Sequence, residues 1–424
     1  MPFLPGRSNQ RYIWVRVMDS IQEQLLAVVR YQLFGGGKPT INKEELSDIL
    51  KEAKAQTVFT TVFPLLQEKL KESSPNEFLQ YQEEFYGNVI TNTNNFMEHA
   101  ELHSLMTEND IPYVMMKGLA SAYCYPDSSL RDMGDVDFLV YEKDFERAKQ
   151  AVLSAGFEVD HGDTLDSIHI AFKRDPLSIW EMHRSINGIP DGEIGERICA
   201  DMATVIESAE LVELDGAVCR IPDKFHHGLI MLLHMISHMT SEGFGLRHLC
   251  DWAVFVNSFN SDEFRKTFES KLKSYGIWKF AQTLTLVSQR YLGLPEKEWA
   301  TNPEITDELL EEFIVDILNG GNFGKKDMNR YRETKYISNR GERTVDNKNV
   351  FMQLFGTLNQ KTYYDYKWIK KCKVFLPIGW IAEGGKYVGL LVSGKRKSKN
   401  TSAMLKEAAK RKDIYSQMKL FEVK

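Results

Sequence analysis

Asp135 and Asp137 open the apolar run Val136–Tyr141, one residue apart. Side chains alternate faces along a strand, so both carboxylates project from the same side. Two negative charges held that close repel and resist burial, and a divalent cation between them removes the cost. Hard oxygen ligands suit Mg²⁺ or Mn²⁺. A second apolar run, Ser178–Arg184, carries Glu181, which could supply a third oxygen. Three carboxylates on adjacent strands point to two-metal phosphoryl transfer.

Upstream, Lys117-Gly118 ends another short apolar run, and Arg131 precedes the aspartates by four residues. A glycine turn after a strand offers backbone amides to phosphates. Lys117 and Arg131 could neutralise phosphate charge, arginine as a two-pronged fork. The bland alternative is a surface turn with two solvated aspartates. Glu181 could likewise be an exposed residue of a hairpin. It shares a strand face with Ile179 and His183, and His183 either sits beside the metals or caps the strand end.

His234 and His238 stand one helical turn apart in His-Met-Ile-Ser-His. The glutamate that a zincin motif places after its first histidine is missing. Core-like neighbours, Leu232, Leu233, Met235 and Ile236, favour a polar stripe facing a cleft over a zinc site. Arg247 and Asp251 share a helical face, either as part of that polar stripe or, equally, as an ordinary i,i+4 ion pair, with a structural role favoured.

The elements that must position these groups follow from periodicity. Helices are expected over 19–34, from about Asn42, and over 76–107. The pattern changes at Ile111. Strands are expected over 111–116, 136–141, 157–159, 168–172 and 178–184, with short helices over 119–125 and 143–155. Asp215-Gly216 marks a tight hairpin between 211–214 and 217–221. Helices resume over 225–238, 246–256, 262–292 and 305–318. A polar stretch over 320–349 reads as loop. The basic end includes Lys395, Arg396, Lys397, Lys399, Lys406, Lys410, Arg411 and Lys412. With Met404, Leu405, Ala408, Ala409 and Ile414 interleaved, it reads as an amphipathic helix packed on the body rather than a nucleic-acid or lipid-binding tail.

A chain of 424 residues is too long for one compact core. Its net charge of −6 argues against a general nucleic-acid coat protein. The five cysteines have no CxxC spacing, and a reduced, cytoplasmic compartment is the simplest reading. No signal-peptide pattern and no membrane-spanning run is evident. The expected organisation is a dispensable extension over 1–17, a helical region over 18–108, a catalytic core with its hairpin over 109–221, and a helical region with a basic tail over 222–424.

Lys117-Gly118, Tyr125-Pro126, Arg131, Gly134-Asp135-Val136-Asp137-Phe138-Leu139-Val140 and Glu181-Met182-His183 resemble an uncharacterised bacterial nucleotidyltransferase family. That family belongs to the DNA polymerase β-like nucleotidyltransferase superfamily. The resemblance continues through His238, Gly245-Leu246-Arg247 and Asp251-Trp252. It implies an α+β fold in which a small mixed β-sheet core is flanked by N-terminal and C-terminal helical regions. It implies Asp135, Asp137 and Glu181 as metal ligands, Gly118 as the nucleotide turn, Mg²⁺ or Mn²⁺ as cofactor and an NTP as substrate. Many superfamily members carry a serine directly after the glycine; here Leu119 follows, and the nearest hydroxyl is Ser121. The activity implied is transfer of a nucleoside monophosphate to an acceptor hydroxyl on a small molecule, sugar, peptide, protein or RNA. A catalytically silent binding module and a toxin-type enzyme are the alternatives.

Overall fold

The computed structural model describes residues 18–164, 167–175, 178–326, 373–392 and 401–423, with positions 330, 359, 362, 366 and 369. The expected extension over 1–17, most of the expected loop over 320–349, and the run Lys395–Lys399 lie outside these residues.

The first helix, α1 (Ser20–Phe34), begins where Asp19 accepts a hydrogen bond from the Gln22 amide and Gln22 answers at the Asp19 amide. This reciprocal cap satisfies two of the free amides of a helix start. The second expected helix is in fact two, α2 (Leu46–Ala55) and α3 (Phe59–Ser73). Thr57 breaks them apart in the left-handed region, at φ +56°. The third, α4 (Pro75–Glu108), runs 34 residues, about 51 Å.

Then comes the sheet: β1 (Tyr113–Met115), α5 (Leu119–Ala122), β2 (Val136–Val140), α6 (Phe145–Ser154), β3 (Glu158–His161), β4 (His169–Asp175) and β5 (Ser178–His183). Strand order is β1-β2-β5-β4-β3. Only β2 and β5 run parallel; their neighbours are antiparallel. The chain must therefore cross over through α6, β3 and β4 before β5 can lie beside β2. Phe138, Phe172 and Trp180 are fully buried in the core of this unit, with Phe145 of α6 above them.

A helix absent from the sequence reading, α7 (Glu193–Met202), follows the sheet. The hairpin β6 (Glu210–Leu214) and β7 (Ala217–Ile221) turns through Asp215 and Gly216, both at positive φ. That is the primed turn that matches strand twist. β7 packs against β1 and α4.

Helices α8 (Lys224–Met239) and α9 (Leu246–Asn257) come next. The expected single helix over 262–292 is interrupted. It comprises α10 (Ser261–Phe264), a wider turn over Arg265–Glu269, α11 (Ser270–Ser274), α12 (Trp278–Val287) and a second wide turn over Ser288–Leu292. Gly276, at φ +71°, ends α11, and its carbonyl accepts from the Phe421 amide. A Cβ there would press to 2.7 Å from the Glu422 nitrogen, so the turn requires glycine. After α13 (Asp307–Gly320) come α14 (Leu376–Val392) and α15 (Thr401–Ser416). α15 packs on α13, with Ala408, Ile414 and Tyr415 buried; of the other residues expected to face the body, Ala409 is exposed. No helix among the described residues is long and apolar enough to cross a membrane.

The N-terminal helices and the C-terminal helices share one core, in which Leu25, Val62, Leu232, Trp252 and Phe313 take part. The sheet forms a second core. The result is an α+β protein with a small mixed sheet between helices.

Candidate functional site

Asp137 sits in the middle of β2 and is 3% exposed. A buried carboxylate is costly unless it is paired. Two groups pair it. Lys117, just past β1, donates from Nζ at 2.8 Å, and Nε2 of His183, on β5, lies at 2.9 Å. Both contacts fall on Oδ1. Burial alone would raise the pKa of Asp137, but Lys117 and His183 outweigh it and hold the carboxyl well below its usual range. Burial works against the charge on Lys117 too, and the Asp137 and Asp135 carboxylates reverse that, raising its pKa.

The parallel register sets Asp137 directly opposite Glu181. An oxygen from each of Asp135, Asp137 and Glu181 lies within 4.8 Å of the other two. Asp135, exposed at the pocket mouth, has its pKa pushed up to about 6, chiefly by the negative charge of Asp137 and then by the crowding of the cleft. The three expected carboxylates thus converge, and their oxygens meet in a cluster whose mutual repulsion a divalent cation would relieve. An all-oxygen set of this kind suits Mg²⁺ or Mn²⁺.

Gly118 takes φ +54° between Lys117 and α5, a conformation open to glycine. Ser121, on α5, is buried beside the pocket, its Oγ 3.4 Å from His227 Nε2. His183 does more than cap its strand. Besides Asp137 it approaches Glu181 at 3.4 Å, and those two acids raise its pKa against the opposing effect of burial.

Arg131 departs from the expectation of a free phosphate clamp. It lines the same pocket, but its fork is engaged. Nε and Nη2 each donate at 2.8 Å to the two oxygens of Asp251, and Tyr125 adds its hydroxyl at 2.8 Å. Both ends of the pair are buried. The expected Arg247–Asp251 pair is correspondingly missing among the described residues. Arg247 donates instead to the Asp132 carbonyl at 2.9 Å. Spacing along one helix could not reveal that a partner 120 residues away fits Asp251 better.

Several contributors escaped the sequence reading. Asn92 and Asn95 of α4 hold the loop that delivers the aspartates. Asn92 accepts from the Met133 amide and donates to the Ser129 carbonyl, and Asn95 donates to the Gly134 carbonyl. With His99, they form a buried polar stripe three and four residues apart on one helix face. That spacing, inside an otherwise apolar face, was the available signal. His169 lies across from His183 on β4 and 3.9 Å from Glu181. Its part depended on a strand register that composition does not disclose.

The opposite wall of the pocket comes from α8 and α9. His234 and His238 indeed face the cleft, and His248 joins them from the first turn of α9. Phe323 lies over His238, ring centres 4.8 Å apart. Burial lowers the pKa of all three histidines, that of His238 to about 4, and Lys117 or Arg247 adds to the effect.

Residues 42–293, more than half of the chain, match the model of a family described as an uncharacterised nucleotidyltransferase. The match spans both walls of this pocket. Comparison with curated proteins returns no match.

Proposed function

Because the chain belongs to the uncharacterised nucleotidyltransferase family, we propose that this pocket moves a nucleoside monophosphate from an NTP to an acceptor hydroxyl. The observation that carries the reading is the β2–β5 register, which sets Glu181 beside Asp137 while Asp135 reaches the same point. Asp135, Asp137 and Glu181 would hold Mg²⁺ or Mn²⁺. Bound there, the metal would lower the pKa of the acceptor hydroxyl and offset charge developing on the α-phosphate.

The residues of the chain do the rest. His183 and Lys117 keep Asp137 ionised and fix its Oδ1. Lys117, Gly118 and Ser121 stand where the triphosphate would lie, Lys117 as the cation nearest the carboxylates. In the reaction a bond forms between the acceptor oxygen and the α-phosphorus. The bond from that phosphorus to the bridging oxygen breaks, and pyrophosphate leaves. The acceptor is a hydroxyl of a small molecule, sugar, peptide, protein or RNA.

Calorimetry with ATP, in Mg²⁺ and in excess chelator, tests the metal bridge. Triphosphate should bind only with the cation, because bare carboxylates repel it. Equal affinity in the two conditions sinks the reading. Release of pyrophosphate from labelled NTPs in the presence of acceptor extracts then reports turnover.

A further inference from the structure

The histidine wall has chemistry of its own. His234 and His238 lie one turn apart on α8, and His248 comes from α9. One ring nitrogen from each lies within 4.8 Å of the other two. Ring centres are 4.3, 5.4 and 5.7 Å apart. Buried imidazoles ordinarily find hydrogen-bond partners. Among the described residues the Nδ1 atoms of all three are buried and make no hydrogen bond. Three neighbouring rings with unused nitrogens are an unfinished arrangement.

We propose that His234, His238 and His248 form a second metal site, for Zn²⁺ or a similar imidazole-preferring ion, whose fourth position opens into the pocket. Neutral imidazole is the ligating form. Zinc is held by nitrogens at about 2.0–2.1 Å, and three histidines plus an open position is its catalytic pattern. Small ring rotations would bring the nitrogens in. Ligating histidines usually hand their other nitrogen to a carboxylate. Glu242 Oε2, 4.0 Å from Nδ1 of His238 and beyond hydrogen-bond reach, would take up that nitrogen once Nε2 turns to the ion. The two sites select different ions, since carboxylates suit Mg²⁺ and imidazoles suit zinc. The missing zincin glutamate does not count against this, because the third ligand comes from another helix.

The inference does not depend on the carboxylate site being active. The test uses the full chain, stripped with chelator and titrated with Zn²⁺ against a chromophoric zinc indicator. A background of Asp135→Asn/Glu181→Gln disables both other candidate ligand groups, which share Glu181. One equivalent should bind in that background. His234→Gln, His238→Gln and His248→Gln, each added to it, should weaken binding by more than the roughly 10–100-fold that loss of an outer partner costs. Glu242→Gln should fall within that 10–100-fold range. Co²⁺ should give the intense visible bands of a four-coordinate ion. If His248→Gln does not fold, His234→Gln and His238→Gln decide. Absence of stoichiometric zinc in the double-variant background, or its survival in the histidine variants, overturns the proposal.

Discussion

The two walls of the pocket are built on opposite terms. On the sheet side, acids are packed against acids, with Lys117 and His183 bound to Asp137. On the helical side, rings stand together with no partner for their Nδ1 atoms among the described residues. The first wall is over-charged, the second under-bonded. Both are arrangements that stability alone does not favour, and both would relax if a cation bound. Between them the Arg131–Asp251 pair is complete, buried and bidentate. The difference separates groups held for chemistry from groups held for architecture.

The largest effect should come from Asp137→Asn. Turnover should fall by about 10⁴-fold, about 5–6 kcal/mol, in a pyrophosphate-release assay. Asp135→Asn should also abolish turnover, yet leave the metal-free fold as stable or more so, because it removes a repelling charge. A stability loss on Asp135→Asn would break the picture of an over-charged wall.

Next is the strut. Arg131→Ala leaves the buried Asp251 charge without its cation, held only by the Tyr125 hydroxyl, and breaking such a pair typically costs about 3–5 kcal/mol. Urea unfolding should show it. Replacing both partners by apolar residues, as in Arg131→Met/Asp251→Leu, should recover most of the loss. If Arg131→Ala instead unfolds normally but loses triphosphate affinity, the arginine belongs to the phosphates.

The walls should also respond to pH with opposite sign. His227, fully packed on α8, has its pKa pushed down by burial to about 4. Its folded pKa lies below the unfolded 6.5, so its contribution is complete above pH 6.5. It is lost as pH falls toward 4, roughly 3 kcal/mol at most. Asp135 does the reverse: its folded pKa is raised to about 6, so acidification through pH 6 relieves the sheet wall. Unfolding midpoints across pH 4–7 in chelator should flatten on the acid side in His227→Gln and steepen there in Asp135→Asn. Matching curves for the two variants would refute the opposition.

Ser121→Ala should give the smallest change. Loss of one hydrogen bond to a charged phosphate is worth about 1.5 kcal/mol at the low end, about tenfold in affinity for the triphosphate. Unchanged affinity would mean that its hydroxyl serves His227 alone.

Legibility in the sequence followed the range of the interaction. The aspartate pair and the strand that carries it were readable because alternation within five residues fixes a face, whereas Glu181 rested mostly on the family resemblance. The hairpin at Asp215-Gly216 was readable because two residues fix its turn. The partner of Arg131 was not, since its choice lies in the docking of α9, far along the chain. The break at Gly276 was hidden for the same reason: the segment that crowds it is Phe421–Glu422. Asn92 and Asn95 went unread: their spacing permits a shared helix face, but only the fold shows that the face is buried against the aspartate loop.

The parallel pairing of β2 with β5 also sets an order in time. The Asp137–His183 contact joins positions 46 residues apart, and the wall facing it arrives later still on α8 and α9. Closing such long segments is slow, because chain entropy is lost before the contacts form. A chain leaving the ribosome therefore carries its two aspartates well before it has anything to hold beside them. Until β5 seats, a passing Mg²⁺ meets only two loose carboxylates. The proposed metal cluster closes only with the last strand of the sheet, and its facing wall only with the helices after it.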